Sequence, residues 1–198
     1  MLSSGHQSGA EAVWNHTQKK TPRYKEQDPK KVAEYLDEIR GIPPEEHVHL
    51  DESGFERYFD REYGYAPRGE KVYGKIGGRK YQRVGLVAAR VGGRVVAPME
   101  YQGTMNAALF EAWFENSLLP AIPPNSTITM DNASFHRKKK LFEIAEKRHF
   151  RLIFLPPYSP ELNPVEKLWA NMKRWLKKNT RNYSSLNDAI EAALEIFS

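Results

Sequence analysis

Two aspartates and two glutamates stand out in this sequence because of the segments that carry them. Asp51 follows an apolar run in "HVHLDESGF", and Asp131 follows another in "STITMDNASFH". Glu161 and Glu166 lie in "LPPYSPELNPVEKLW", a proline-rich stretch at residues 155–169. Three carboxylates suit a hard cation such as Mg²⁺, which prefers oxygen ligands. Two such ions about 3.5–4 Å apart can activate a nucleophile and stabilise the leaving oxygen of a phosphodiester.

The helix that follows the proline-rich stretch distinguishes the two glutamates. Pro164 suits the first helical position with Asn163 as the N-cap, so Glu166 falls in the first turn. Glu166 then borders the apolar stripe that we expect to be buried, which consists of Val165, Leu168, Trp169, Met172 and Leu176. Glu161 precedes the helix and lacks this framework, so we expect it on the surface. Glu166 is therefore the better placed of the two to act as a third carboxylate.

Each acid also has a purely structural interpretation. Asp commonly caps turns, so Asp51 and Asp131 could each do no more than end a strand. Asn163 and Glu166 have the spacing of a capping box, in which the glutamate side chain bonds back to the Asn163 amide. The spacing of these residues alone leaves both interpretations open.

The elements that must position these acids alternate along the chain. "DPKKVAEYLDEIR" is typical of a helix capped by Asp28, with an apolar stripe at Val32, Tyr35, Leu36 and Ile39. The strand of "HVHLDESGF" follows. "RVGLVAARV" and "RVVAPMEY" then flank Gly92-Gly93, which predicts a tight hairpin. The rest of the chain predicts a helix in "NAALFEAWFENSLLPAI", the strand before Asp131, a basic helix in "KKKLFEIAEKRH", a strand in "FRLIFLPP" and two closing helices.

This order of elements predicts an α/β fold. Hairpin strands pair antiparallel, and the strand–helix alternation that follows them favours parallel strands. We therefore expect a mixed sheet flanked by helices. Asp51 and Asp131 would each end a strand of that sheet, where sheets of this kind build their sites.

Composition excludes several classes of protein. The chain has 198 residues and no cysteine, which excludes disulfides, thiolate metal sites and cysteine nucleophiles. No stretch approaches 18 consecutive apolar residues and the N-terminus lacks a secretory signal, so we expect a cytoplasmic protein. The net charge is +5, but residues 132–183 hold 13 Lys/Arg against 4 Asp/Glu. This basic block indicates a polyanion-binding surface, although a solvated helix face explains the charge equally well.

Three motifs together resemble the catalytic domain of mariner-superfamily transposases, in their bacterial insertion-sequence branch: "HLDESGF", "MDNASFH" and "LPPYSPELNPVEKLW". The resemblance runs from about His47 to the C-terminus. It implies a ribonuclease H-like fold for residues 46–198, preceded by an N-terminal arm and connector helix at residues 1–45. It also implies an Asp-Asp-Glu site of Asp51, Asp131 and Glu166, which serve as both catalytic residues and metal ligands. The 34 residues between Asp131 and Glu166 match a spacing used in this superfamily.

Further residues near the acids are candidates for supporting roles. Asn132 could orient Asp131 or contact DNA, and an Asx-turn is an equally good explanation. His136 matches the family's motif and could touch phosphate or the site, while an ordinary surface histidine is the alternative. The basic candidates for contact with the DNA backbone are Arg137, Lys138, Lys139, Lys140, Lys173 and Lys177.

The resemblance implies metal-dependent DNA cleavage and strand transfer in transposition. The implied cofactor is Mg²⁺, as two ions, with Mn²⁺ as a substitute. The expected partner is double-stranded DNA, both transposon ends and target, bound by a homodimer in the nucleoid of a bacterium. We expect base recognition to come from a separate or frameshift-fused N-terminal helix-turn-helix part. The alternatives are an inactive or truncated remnant that only binds DNA non-specifically, and a related ribonuclease H-like nuclease.

Overall fold

The structure is a computed structural model that describes residues 24–57, 65–71, 73 and 83–198. The first 23 residues of the predicted N-terminal arm lie outside the described residues, and the division at residues 45 and 46 stays a prediction. In the described part of the chain, no helix has the length and apolar character needed to cross a membrane.

The chain begins with helix α1 (Pro29–Glu38), which starts as its sequence predicts. The Asp28 side chain accepts a hydrogen bond from the Lys30 N–H at 2.9 Å, and Pro29 occupies the first position. The predicted apolar stripe is only partly correct, because Tyr35 is buried but Leu36 is 46% exposed. Tyr35 packs against Ile153 of β5 (Arg151–Phe154), an edge strand of the sheet, and Leu36 is left in solvent.

Three strands form the antiparallel half of the sheet. They are β1 (His47–Glu56), β2 (Arg83–Val91) and β3 (Arg94–Tyr101). Gly92 and Gly93 join β2 to β3 with φ values of 54° and 88°. Positive φ at both central residues is what a two-residue hairpin of this hand requires, and glycine adopts it without steric cost. The hairpin prediction is confirmed.

The second half alternates helices and parallel strands. Helix α2 (Ala107–Trp113) continues through a π-helical turn (Phe114–Leu118) into α3 (Leu119–Ala121). Then come β4 (Thr127–Met130), α4 (Lys138–Lys147), β5 (Arg151–Phe154), α5 (Val165–Asn179) and α6 (Leu186–Phe197). The strand order is β3-β2-β1-β4-β5, with β1, β4 and β5 parallel and the β1–β2–β3 pairs antiparallel. The predicted mixed sheet flanked by helices is confirmed.

Helices cover both faces of the sheet, because alternate strand residues point to opposite sides. On one face, Val48 and Leu50 of β1 join a core completed by α2, the π-helical turn and α4. On the other, Phe55 of β1 joins a core completed by α5 and α6. The five residues predicted to form the buried stripe of α5 are all buried there.

One expectation about β1 is wrong. Asp51 does not end the strand, which continues to Glu56 because β2 stays paired with it along that length. The parallel partner β4 pairs only with His47–His49 of β1. Asp51 therefore lies two residues past the last parallel pair, within an unbroken antiparallel ladder, and its side chain emerges beside the end of β4.

Candidate active site

Asp51 is held by the strand on which it lies and by a tryptophan from α5. The Trp169 indole N–H donates to Asp51 Oδ2 at 3.1 Å. Burial raises the pKa of the Asp51 carboxyl to about 7, and the negative charges of Glu166 and Asp131 act in the same direction. These effects outweigh the lowering by the Trp169 bond and by the Glu52 N–H. Asp51 thus lies where other negative charges oppose its ionisation.

Asp131 is the first residue after β4, as predicted, and its carboxylate is fixed locally. Asp131 Oδ1 accepts from the Ala133 N–H at 3.1 Å, which is an Asx-turn. The same oxygen lies 3.3 Å from Nδ1 of His136. The side chain remains 51% exposed. Asp131 therefore does cap a turn, and it also keeps carboxylate surface open towards solvent.

Glu166 lies in the first turn of α5, and a buried asparagine sets the start of that helix. Asn163 is 4% exposed, and its Nδ2 donates to the carbonyl of Leu50 at 3.2 Å. Its Oδ1 accepts from the Val165 N–H at 3.2 Å. The helix therefore begins at Val165, one residue later than predicted, with Pro164 at the cap position. The Asn163 N–H donates to the carbonyl of Pro160 at 2.9 Å, so the capping-box alternative for Glu166 is wrong.

These contacts bring the three carboxylates to one cleft. Asp51, Asp131 and Glu166 all line a cavity of about 540 Å³. The remaining wall comes from the proline-rich loop and its neighbours, which are Tyr24, Asn132, Ala133, Leu155, Pro156, Pro157, Tyr158, Ser159, Pro160 and Asn163. Asn163 links this loop to β1 one residue before Asp51. The loop thus aligns the start of α5 with the strand that carries the first aspartate.

The donor set of the cleft fits a hard divalent cation. Its three carboxylates supply the oxygen ligands that Mg²⁺ prefers. A cation would favour the ionised form of Asp51, whose pKa is raised first by burial and then by the charges of Glu166 and Asp131. Among the described residues, no three acidic or histidine side chains are close enough together to hold one ion as they stand. Glu166 is exposed, so its side chain is free to rotate towards the two aspartates.

His136 is buried, so the alternative of an ordinary surface histidine is wrong. Its side chain is 2% exposed and packs against the rings of Phe110 and Phe135, both at 4.4 Å between centroids. Nδ1 faces Asp131, and Nε2 has no hydrogen-bond partner and lies 3.6 Å from Glu52 Oε1. Glu52 follows Asp51 on β1, so its side chain points to the opposite face of the sheet, where it lies beside His136.

Asn132 does not bond the carboxylate of Asp131. Its Nδ2 donates to the Leu155 carbonyl at 2.5 Å, and its Oδ1 accepts from Lys138 Nζ. The Asx-turn at this position belongs to Asp131 instead. Asn132 thus joins the end of β4 to the start of the proline-rich loop.

The basic candidates have different surroundings. Arg137 forms two hydrogen bonds with Glu111, at 2.7 and 2.6 Å, which engage its guanidinium within the fold. Lys138 lies over the Phe154 ring at 4.4 Å, and Lys140 pairs with Glu143 at 4.0 Å. Lys139 is exposed.

The two basic candidates on α5 lie on one side of that helix. Lys173 Nζ lies 5.7 Å from the centre of the Phe55 ring. Lys177 is on the same helix as Lys173, one turn later.

Two residues of the site have contacts that their sequence patterns do not predict. The patterns predict Trp169 only as a core residue and Asn163 only as a cap, yet Trp169 bonds Asp51 and Asn163 bonds Leu50. A buried indole N–H needs an acceptor, and this requirement was the available signal for Trp169. Glu161 lies outside the cleft and is exposed, where Gln27 Nε2 donates to its Oε1 at 2.5 Å.

Comparison with known families identifies the domain. The model of the DDE superfamily endonuclease family matches residues 46–189, most of the chain. This chain belongs to the DDE superfamily endonuclease family. The match includes the segments that carry Asp51, Asp131 and Glu166.

Two relatives show how far sequence similarity extends for this DDE superfamily endonuclease. It is 30% identical over 77 residues to the Tcb2 transposase of Caenorhabditis briggsae, which is 37% of this chain and 28% of that protein. It is 36% identical over 67 residues to the uncharacterized protein y4pE/y4sA of Sinorhizobium fredii, which is 33% of this chain and 46% of that protein. The matched segments thus span less than half the length of either relative.

A solved structure shows the same fold. The mariner Mos1 paired end complex with Mg superposes with a TM-score of 0.73 at 18% identity, covering 95% of this chain and 60% of that one. The ribonuclease H-like fold and the resemblance to the mariner superfamily are confirmed. The narrower placement in a bacterial branch stays a prediction.

Proposed function

We propose that this DDE superfamily endonuclease cleaves DNA and joins the freed end to a target, as the catalytic part of a transposase. The observation that carries the proposal is the convergence of Asp51, Asp131 and Glu166 on one cleft from a strand, a strand end and a helix start. In-line displacement at a phosphodiester needs positioning and neutralisation of charge rather than a nucleophile from the protein. The cleft offers carboxylates and has no cysteine to act as a nucleophile.

We propose that the three carboxylates hold Mg²⁺, as two ions, with Mn²⁺ as a substitute. One structure with this fold is described as a complex with Mg. When bound, such ions activate the attacking oxygen and stabilise the leaving one. Asp51, fixed by Trp169, and Asp131, fixed by the Ala133 N–H, would hold the cation together with Glu166.

The protein's own groups prepare this site in three ways. Trp169 and the β1–β2 ladder fix Asp51, and His136 supports Asp131 from beneath. Asn163 sets the start of α5, so that Glu166 faces the same cleft.

The proposed reaction has two steps. The attacking group is first water, whose oxygen bonds to phosphorus as the bond to the 3′ oxygen breaks. The freed 3′ hydroxyl then attacks a target phosphodiester in the same manner.

We propose that the basic residues around the cleft bind the DNA backbone rather than read bases. Lys139 on α4 and Lys173 on α5 are exposed and can meet a phosphate, whereas Arg137 is engaged by Glu111. Phosphate contacts position DNA without reading its sequence. Selection of transposon ends would then come from a helix-turn-helix part supplied separately or by frameshift fusion, with two copies of the catalytic domain acting on DNA in the nucleoid.

A nicking assay on supercoiled plasmid tests the proposal. Purified protein should nick the plasmid with Mg²⁺ or Mn²⁺ and not in EDTA. Asp51→Asn, Asp131→Asn and Glu166→Gln should each reduce nicking by more than about 100-fold, since even groups that only support metal ligands contribute about 10–100-fold. Glu161→Gln is the matched control, because Glu161 lies in the loop that leads into α5 but outside the cleft. Activity near that of the parent protein in any of the three variants would remove that residue from the site.

A further inference from the structure

A second depression lies beside the catalytic cleft and has a different character. Its volume is about 330 Å³, and it is lined by Ile42, Pro44, His47, His49, Arg90, Gly92, Gly93 and Pro164. Its polar side chains are two imidazoles and one guanidinium, and none of the lining residues is acidic. The lining includes none of the three acids of the cleft, and its chemistry favours an anion over a cation.

The strand register brings the polar groups together. His49 of β1 is the direct cross-strand partner of Arg90 on β2, so the two side chains share a face of the sheet. His47 precedes His49 by two residues on the same face, and the two rings lie 3.9 Å apart. His47 is engaged by Thr129, at 2.9 Å from its Nε2. Arg90 Nε donates to the Gly93 carbonyl at 3.4 Å, which keeps the guanidinium at the hairpin.

The charge of the depression comes from Arg90. An imidazole carries at least one N–H donor in either protonation state, so His49 can donate whatever its charge. The guanidinium provides a fixed positive charge with donors in a planar fork, which matches the oxygens of a phosphate.

The depression and the cleft are neighbours on one face of the molecule. His49 and Asp51 are two residues apart on β1 and point to the same side, about 7 Å apart along the strand. Asn163 lines the cleft, and the next residue, Pro164, lines the depression. A polynucleotide strand held in the cleft can therefore pass over Asn163 and Pro164 into the depression and place a neighbouring phosphate near Arg90.

We propose that this depression binds a backbone phosphate of the DNA strand held in the adjacent cleft, with Arg90 supplying the charge and His49 a hydrogen-bond donor. The inference rests on the proposed function for the identity of the strand. The lining itself selects only for a phosphate-like anion. A bound cation is disfavoured because the guanidinium of Arg90, the cross-strand partner of His49, supplies a positive charge and the lining has no acid.

Binding of duplex DNA by Arg90→Ala, measured as a function of salt, tests the proposal. Arg94→Ala is the matched control, because Arg94 begins the next strand of the same hairpin, is exposed and does not line the depression. Loss of Arg90 should weaken binding about 5–10-fold near 0.1 M salt and reduce the slope of log K against log salt by about 0.9, the value for one phosphate contact. Arg90→Lys should recover part of the affinity. Equal behaviour of the alanine variants at Arg90 and Arg94 would overturn the proposal.

A phosphate titration of the unaltered protein avoids any effect of the substitution on folding. Inorganic phosphate titrated into protein with ¹⁵N-labelled arginine should shift the Arg90 Nε resonance before that of Arg94. In a second experiment, a scan of duplexes with single neutral methylphosphonates should find one linkage whose neutralisation weakens DNA binding by the parent protein but not DNA binding by Arg90→Ala. If free phosphate shifts Arg90 and no linkage shows this coupling, the depression binds phosphate but not DNA, and the proposal is wrong.

The outcomes separate this proposal from the proposed function. If the protein nicks plasmid with Mg²⁺ while Arg90→Ala binds and nicks like the parent, only the phosphate site is refuted. If the parent protein shows no divalent-dependent nicking but Arg90→Ala still loses affinity and salt dependence, the catalytic proposal fails and the phosphate site stands.

Discussion

Asp51→Asn should stabilise the metal-free protein at neutral and alkaline pH. Burial and the charges of Glu166 and Asp131 raise the pKa of Asp51 from 3.8 to about 7. Between these two values the folded protein keeps a proton that the unfolded chain releases. The free energy of unfolding therefore falls as pH rises from about 4 to about 7 and is level above that. Asparagine carries no such charge, so the variant escapes this loss.

The size of the effect follows from the two pKa values. At about 1.4 kcal/mol for each pH unit, the interval from 3.8 to about 7 corresponds to about 4 kcal/mol. Asp51 keeps some contact with solvent, which screens roughly half of this, so we expect about 2 kcal/mol. For a domain of this size, about 2 kcal/mol corresponds to roughly 4–8 °C in melting temperature. The Trp169 N–H retains an acceptor in the variant, because the asparagine side chain has a carbonyl oxygen.

Thermal and urea unfolding in EDTA between pH 4.5 and 8.5 provide the measurement. The stability of Asp51→Asn relative to the parent should increase across the window and then stop increasing above about pH 7.5. Mg²⁺ should stabilise the parent at pH 8 and have little effect on the variant, because a ligand that binds the native state shifts its unfolding. A difference that does not change with pH, or a variant less stable than the parent at pH 8.5, would refute the electrostatic reasoning.

Three further variants, two single and one double, test the framework of the site and the basic surface. Trp169→Phe removes the hydrogen bond to Asp51 and should lower the free energy of unfolding by about 1–3 kcal/mol, measured in urea. Nicking should fall by more than the loss of folded protein alone explains. Asn163→Ala removes both buried bonds of that side chain and should cost about 2 kcal/mol, with nicking reduced at temperatures where the variant is still folded. Replacing Lys173 and Lys177 with Ala should weaken DNA binding to a similar extent for all sequences and flatten its salt dependence, as competition binding would show.

The fold could be predicted because local patterns determine most of it. The Gly92-Gly93 pair admits few alternatives to a hairpin, and the period of the residues after Pro164 identifies both the helix and its buried stripe. The length of β1 could not be predicted in this way. The "DESGFE" segment is polar and contains Gly54, and it is extended because β2 pairs with it along its whole length. That pairing is a long-range contact which no local pattern encodes.

In the candidate site, too, local patterns predict some features and long-range contacts determine others. The type and spacing of Asp51, Asp131 and Glu166 could be read from sequence, and the structure places all three around one cleft. The burial of His136 could not, because it depends on the Phe110 ring contributed by α2, 26 residues earlier in the chain. A histidine among lysines in "FHRKKK" gives no local indication of burial.

The three acids differ in how rigidly the fold holds them, and this difference bears on how a metal site would form. Asp51 belongs to a continuous ladder and bonds Trp169, and Asp131 is held by a turn and by His136. Glu166 is exposed at the start of a helix, and its backbone rather than its side chain is positioned. The proline-rich loop therefore serves mainly to bring the helix start to β1, through the buried bond from Asn163 to Leu50. A cation held by the two aspartates would attract the Glu166 carboxylate. The mutual repulsion of the three carboxylates in the metal-free protein would then be replaced by the attraction of each carboxylate to the cation.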